Sequence, residues 1–271
     1  MIDWNRMWQE ARRRKTWQRK TSEDWNKRAA GFARRHKNSV YVKEFLNRLP
    51  LSAGMSVLDM GCGPGTLTIP LAPKVREITA VDFSPGMLEI LTAKAAEGNL
   101  NNITTRQGAW EDDWQALGLG RYDLIIASRS LAVDDLKGAL DKLRRAARGW
   151  VFIGDRVGSG PFDPAMFAAI GRPFHPGPDY IYTINILYQM GIHARLDFID
   201  LPPAHSYKTR EEAISSWAWM FHDLTATEND KLNRHLSERL TKNNHGHWCL
   251  RDEVCPSWAL ISWRQTTHQH D

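Results

Sequence analysis

No stretch of the 271-residue sequence comes near the roughly 18 uninterrupted apolar residues of a membrane-spanning helix, so none is expected. A signal-like apolar run is missing at the N-terminus too, because charges and Trp interrupt it from Asp3 onward. Cysteine is scarce. Cys62, Cys249 and Cys255 are an odd, low count that supplies no disulfide framework and fits a reducing cytoplasm. Internal repeats and low-complexity tracts are absent. With 42% hydrophobic and 25% charged residues, the chain suits an ordinary globular protein with one sizeable core and room for a subdomain.

The net charge of +5 is local in origin. Residues 1–37 hold twelve Lys/Arg against four Asp/Glu. Such a segment attracts nucleic acid, an acidic membrane surface or an anionic small molecule, and equally is the solvated face of a helix. For the run Arg12–Lys15 the solvated reading is the simplest. Twelve tryptophans supply large flat apolar area for cores and for pockets.

Apolar spacing predicts helices over residues 3–14 (Trp4, Met7, Trp8, Ala11) and 24–47 (Trp25, Ala29, Phe32, Ala33, His36), ended by Pro50 and Gly54. From residue 55 short apolar runs alternate with helical stretches. Strands are expected at Ser56–Met60, Ile78–Val81, Ile103–Thr105, Tyr122–Ala127 and Trp150–Ile153, with helices near 65–73, 85–97, 112–118 and 134–148. This alternation argues for βαβ units and a parallel sheet with helices on both faces. Beyond Asp155 the pattern loosens. Residues 156–178 are rich in Gly and Pro. Helices near 179–192, 209–222 and 227–241, a strand at 195–201 and strand material over 248–263 follow. Three parts are expected within one compact unit: a helical cap (1–50), a core (51–155) and a segment of sheet completion with an inserted lid (156–271).

Chemistry concentrates at Val57-Leu58-Asp59-Met60-Gly61-Cys62-Gly63-Pro64-Gly65-Thr66. A strand ends in an acid, and glycines at alternate positions let a ligand approach the backbone. A helix starting there offers free N–H groups. One βα unit later comes Val81-Asp82-Phe83-Ser84-Pro85, where Asp82 is placed to accept hydrogen bonds from ribose hydroxyls. A nicotinamide dinucleotide is disfavoured. Its third glycine is replaced by Thr66, and Asp59 would repel a pyrophosphate while tolerating an ammonium group.

These segments resemble the signature of the class I S-adenosylmethionine-dependent methyltransferases of the small-molecule type. Val81 through Leu88 resembles the second motif of that family, Gln107-Gly108-Ala109-Trp110-Glu111 the third, and Tyr122–Ser128 the fourth strand. The resemblance implies a Rossmann-like, doubly wound, mostly parallel seven-stranded sheet. It also implies S-adenosylmethionine held by Asp59, Gly61, Cys62, Gly63, Asp82, Phe83, Met87, Ala109, Trp110 and Ser128. The family often has Asp or Asn at position 109; here Glu111 or a backbone group is left to meet the adenine amine. The segment with Trp25, Arg28, Ala29 and Phe32 resembles the family's cap helix, with Trp25 over the methionine portion of the donor.

After the fourth strand the chain reads Ser128-Arg129-Ser130, not the Asn/Asp-Pro-Pro-aromatic set of enzymes that methylate base amines or glutamine amides. The acceptor is therefore expected to be a small molecule, with nucleic acid disfavoured and no membrane involved. An RNA methyltransferase and a non-catalytic S-adenosylmethionine-binding protein stay open as alternatives. Arg129 can hold a substrate carboxylate or phosphate, and Arg129, Tyr180 and His175 are the catalytic candidates. His175, Tyr180, Tyr182, Trp217, Trp219 and His222 suggest an aromatic lid. His245, His247 and Cys249, with Cys255 nearby, have zinc-ligand chemistry. The Cys spacing fits no knuckle, so a hairpin with incidental His and Cys is expected, without metal. His268 and His270 fall in a polar tail.

Overall fold

The computed structural model describes residues 2–17, 21–27, 39–203, 206–221 and 223–265. Seven strands form one sheet: β1 (Ser56–Met60), β2 (Glu77–Asp82), β3 (Ile103–Gln107), β4 (Tyr122–Ser128), β5 (Ala147–Arg156), β6 (Arg195–Asp200) and, after two strands outside it, β9 (Ser257–Arg264). Their order is β3-β2-β1-β4-β5-β9-β6. β1 to β5 pair in parallel, and β9 runs antiparallel to both β5 and β6. The two outside strands, β7 (Leu240–Lys242) and β8 (Trp248–Leu250), make a separate hairpin.

The helices are α1 (Trp4–Arg14), α2 (Val40–Asn47), α3 (Thr68–Leu71), α4 (Pro85–Glu97), α5 (Leu136–Ala146), α6 (Pro164–Ile170), α7 (Tyr180–Gln189), α8 (Arg210–Ser215) and α9 (Ala226–Arg239). Residues 22–27 are helical as well. Side chains of a strand alternate between faces. Leu58, Ile125, Val151 and Ile153 accordingly meet Trp8, Leu140, Leu143 and Leu187 in one core, which draws on α1, α5 and α7. Val57, Leu124, Ile126 and Phe152 meet Tyr41, Phe45, Leu88 and Leu91 in the other, from α2 and α4. Strands covered on both faces are buried along nearly their whole length, as β1 and β4 are. β3 is polar because it is an edge strand whose side chains are mostly solvated. A third core of Met166, Phe167, Trp217, Leu232 and Leu236 belongs to the C-terminal insertion.

Three expectations change. Residues 112–118 form turns, not a helix. The Asp113 carboxylate accepts from the N–H groups of Gln115 and Ala116, at 2.8 and 3.4 Å, and caps a single turn that Gly118, at φ +71°, ends at once. The Gly- and Pro-rich stretch contains α6, opened by the Asp163 cap on Ala165 N and closed by Gly171 at φ +82°. The basic run is also not simply solvated. The Arg12 side chain is 9% exposed, pairs with Asp134 at 3.0 Å and donates to the Ala132 carbonyl at 3.1 Å. Arg28, Ala29, Phe32, Ala33, His36, His222, His268 and His270 lie outside the described residues.

Candidate active site

The chain leaves β1 for β2 on one side and later enters β4 on the other, so the sheet's direction of winding reverses between β1 and β4. Open α/β sheets bind ligands outside the carboxyl ends of strands at such a switch point. Asp59, the glycine loop, Asp82 and Ser128–Ser130 all stand there.

Gly61, Gly63 and Gly65 have φ of +78°, +53° and +78°, conformations that disfavour any side chain. Their roles differ. A Cβ on Gly61 would sit 2.2 Å from Ser130 Cβ, and one on Gly65 would sit 2.4 Å from Leu91 Cδ1. Both glycines therefore allow parts of the protein to meet. Only Gly63 faces open space, with nothing within 4 Å of its would-be Cβ. Gly61 and Gly63 are both expected at the donor site; of the two, Gly63 has open space where a side chain would stand. The loop is tied down by Gly61 N and Cys62 N, which both donate to the Val81 carbonyl at 2.8 and 3.0 Å. Ser130 Oγ donates to the Met60 carbonyl at 2.7 Å.

Asp82 ends β2 and is 7% exposed. One carboxylate oxygen accepts from Gly63 N at 2.8 Å and the other from Ser84 N at 2.9 Å. Each oxygen keeps a free lone pair for a hydroxyl. Burial pushes its pKa up, against the pull of these N–H groups. Asp59 lies beneath the loop, 2% exposed, and accepts from Thr68 Oγ1 at 2.6 Å. Burial raises its pKa to about 7, and nearby Asp82 adds to the shift. Cys62 is buried and its thiol is pushed well up, so it is not a nucleophile at neutral pH.

A raised carboxyl pKa makes the folded state hold a proton that the unfolded chain releases. Stability then falls as pH climbs from about 4 to about 7 and levels off above. Asp59→Asn keeps an oxygen for Thr68 and removes this penalty. Its stability gain over wild type should grow across that window to at least about 1 kcal/mol at pH 8, and vanish near pH 4. Denaturant midpoints at four pH values test it; a gain that does not vary with pH contradicts the assignment.

Of the remaining cofactor candidates, Met87 is buried in the first turns of α4 and Phe83 is half-buried. Gly108 N donates to the Asp82 carbonyl at 3.0 Å, which brings Ala109 and Trp110 beside Asp82. Ala109 N is taken by Asp112 Oδ2 at 2.8 Å, and Trp110 leans on Trp114. Glu111 is exposed.

Two contacts of the N-terminal segment were not legible in the sequence. Asn26 Oδ1 accepts from Ser84 Oγ at 2.7 Å and Gly86 N at 3.0 Å, so residues 22–27 sit on the turn after β2. Half-buried Trp25 belongs to this segment. On the other side α1 grips the loop after β4, with Trp8 Nε1 donating to the Val133 carbonyl at 2.8 Å and Asn5 donating to Asp135 at 3.0 Å.

The suggested lid residues are not gathered together. Tyr182 packs edge-on to Trp4 and Trp8, and Tyr180 edge-on to Phe198. Trp217 belongs to the third core, whereas Trp219 is half exposed against Phe162. His175 is exposed, and its backbone N–H donates to Thr16 Oγ1 at 2.7 Å. His245 and His247 lie in the β7–β8 hairpin connection, whose Asn243 carboxamide oxygen accepts from both backbone N–H groups. Cys249 Sγ faces the Thr241 carbonyl and Cys255 Sγ that of Glu253. Among the described residues, no three His, Cys, Asp or Glu side chains converge as metal ligands.

Residues 57–149 match the family described as "Methyltransferase domain". An uncharacterized protein of Haemophilus influenzae is 33% identical over 245 residues, spanning 88% of each chain. An uncharacterized methyltransferase of Emericella nidulans is 30% identical over 159 residues, 57% of this chain and 50% of that one. In fold the chain is similar to the YcgJ protein of a Bacillus, with a TM-score of 0.57 at 18% identity over 83% of this chain and 97% of that one. The chain belongs to the class I S-adenosylmethionine-dependent methyltransferases. The H. influenzae protein matches it over 88% of the length of either chain.

The residues present fit that donor. Gly63 leaves bare backbone beside open space, Asp82 offers two lone pairs to a ribose, and an acid below the loop suits an ammonium group.

Proposed function

We propose that this enzyme methylates a small molecule seated over the carboxyl ends of β4 and β5. The observation that carries the reading is the arrangement at the rim. The segment 22–27 sits on the turn after β2 and α1 on the loop after β4, so chain is laid along both sides of the crevice. Chain along both rims favours a compact acceptor over a polynucleotide. Arg12, part of the basic run that favoured RNA, is engaged by Asp134.

S-adenosylmethionine, when bound, supplies an electrophilic methyl group on a sulfonium for in-line displacement. What the chain adds is position and exclusion of water. The Tyr41 hydroxyl stands 2.7 Å from Ser128 Oγ and is buried, and burial pushes its pKa up. It stays a neutral phenol that orients Ser128. Asp155, at the end of β5, accepts from Thr183 Oγ1 at 2.7 Å, and burial raises its pKa too. A dedicated base is needed only for an acceptor protonated at working pH.

Asp82→Ala should weaken S-adenosylhomocysteine by roughly 1–3 kcal/mol, the worth of charged hydrogen bonds to a ribose. Calorimetry against S-adenosylmethionine, S-adenosylhomocysteine and NAD checks it, and unchanged affinity removes the ribose role. For the acceptor, labelled methyl donor is incubated with cell extract split into low-molecular-weight and RNA fractions. Label confined to RNA overturns the small-molecule reading.

A further inference from the structure

Arg129 is the first residue after β4, at the point of the fold where acceptor and donor meet. Its backbone is left-handed, φ +56°, a conformation costly for a side chain of this kind and held by the Arg129 N–H donating to the Gly154 carbonyl at 2.7 Å. Its guanidinium lies 4.4 Å from the Tyr41 ring centroid and 5.2 Å from that of Trp258. Among the described residues no carboxylate is within ion-pair distance of it and no acceptor takes its N–H groups. Burial lowers its pKa from the ordinary arginine value, yet a guanidinium remains charged in proteins. Beside it the indole N–H of Trp258 is buried with no acceptor among the described residues.

These facts do not describe a structural arginine. Several arginines elsewhere are paired with carboxylates: Arg12 with Asp134, Arg148 with Asp123, Arg172 with Glu228, Arg239 with Asp163. Arg156 also lies over an aromatic ring, Trp17, but its guanidinium donates to the Pro178 carbonyl. Leaving a half-buried cation without a counterion is unfavourable, and the two aromatic faces return only part of that cost. Backbone strain is added to that cost. A strained, unmatched, half-buried cation at the mouth of a crevice is what an anionic ligand would complete.

The direction of the side chain says which ligand. The glycine loop and Asp82 belong to β1 and β2, on one side of β4. Tyr41 packs over Gly154 of β5, and Trp258 opens β9, both on the other side. Gly154 has no room for a Cβ, which would meet the Tyr41 hydroxyl at 2.2 Å, so the small residue there lets Tyr41 lie beneath the guanidinium. The cation thus stands toward β5 and β9, away from the adenosyl half of the site.

We propose that Arg129 is the acceptor anchor and that the methyl acceptor carries an oxyanion, a carboxylate or a phosphate, held by its guanidinium fork. This rests on the methyltransferase reading and adds the chemical class of the acceptor. A planar guanidinium presents parallel N–H donors that match two oxygens of either group. Lysine, with a point charge and no flat face for the rings, would serve less well.

The test uses the full chain saturated with S-adenosylhomocysteine, whose own affinity is measured first. Benzoate, phenyl phosphate and uncharged benzamide are then titrated, and binding is read by calorimetry or ligand-detected NMR. Arg129→Asn is the main variant, since Asn tolerates the left-handed backbone while removing the charge; Arg129→Lys is the second. Wild type should bind one of the two anions at least tenfold more tightly than benzamide, and the preferred anion separates a carboxylate acceptor from a phosphate one. Arg129→Asn should lose at least tenfold for that anion and less than twofold for S-adenosylhomocysteine, with Arg129→Lys between. Equal binding of anions and amide, or anion affinity unchanged in Arg129→Asn, overturns the proposal. So does a tenfold loss of S-adenosylhomocysteine in that variant, which would assign the cation to the donor's own carboxylate. If wild type does not bind S-adenosylhomocysteine at all, the methyl-donor site itself has failed, and that failure is seen before any anion is added.

Discussion

Gly61→Ala is expected to destabilise the protein by about 2–5 kcal/mol, the sum of a left-handed alanine and a forced overlap. The added methyl would stand 2.2 Å from Ser130 Cβ, an atom fixed to its own backbone that cannot rotate away. Either the loop lifts off β2, breaking the pair of bonds to the Val81 carbonyl, or the end of β4 moves and Ser130 loses the Met60 carbonyl. Each outcome disturbs the crevice, so donor binding should be lost along with stability. Gly63→Ala is the control. It has the same sign of φ but open space around it, so it should cost only the backbone strain of about 1–2 kcal/mol. Its methyl group would nonetheless occupy the space left for the ligand and weaken S-adenosylhomocysteine more than tenfold. Chemical denaturation and calorimetry on both variants decide the matter. Equal loss of stability in the two would mean that the close approach of Ser130 is not what Gly61 serves.

The second large effect is expected far from the crevice. Arg239 donates to Asp163 Oδ2 at 2.7 Å, to Asp252 Oδ1 at 2.8 Å and to the Asp252 carbonyl at 3.0 Å. Asp163, with a side chain only 3% exposed, also caps α6 through Ala165 N. Arg239→Met should cost about 3–5 kcal/mol, because it strands a buried carboxylate without its cation. Adding Asp163→Asn should recover a good part of that loss, since the orphaned charge goes with it. The donor site lies in other layers, and S-adenosylhomocysteine affinity should stay within twofold under native conditions. A loss below about 1 kcal/mol would show that the pair is not desolvated in solution.

Much of the site was readable because its signals are local. A strand ending in Asp59, glycines at 61, 63 and 65, and Asp82 one βα unit later are constraints written in consecutive residues. The division of labour among the glycines was not readable, since it depends on Ser130 and Leu91 arriving from other elements. The short helix α6 was hidden by the Gly and Pro around it, although its cap Asp163 and its terminator Gly171 are both sequence signals. The stretch 112–118 failed the other way, because the turn that Asp113 caps is ended at once by left-handed Gly118.

The sequence by itself determined the alternation of strand and helix, the glycine turn after β1 and the acid that ends β2, for these follow from backbone geometry and apolar period. Only the tertiary structure decided what surrounds Arg129, how α1 and residues 22–27 bind the loops at the crevice, and how the aromatic residues of the second half are shared out. Those arrangements depend on which desolvated groups meet across the sheet. Such meetings join residues more than a hundred positions apart, as Trp8 and Val133 do, and no local pattern records them.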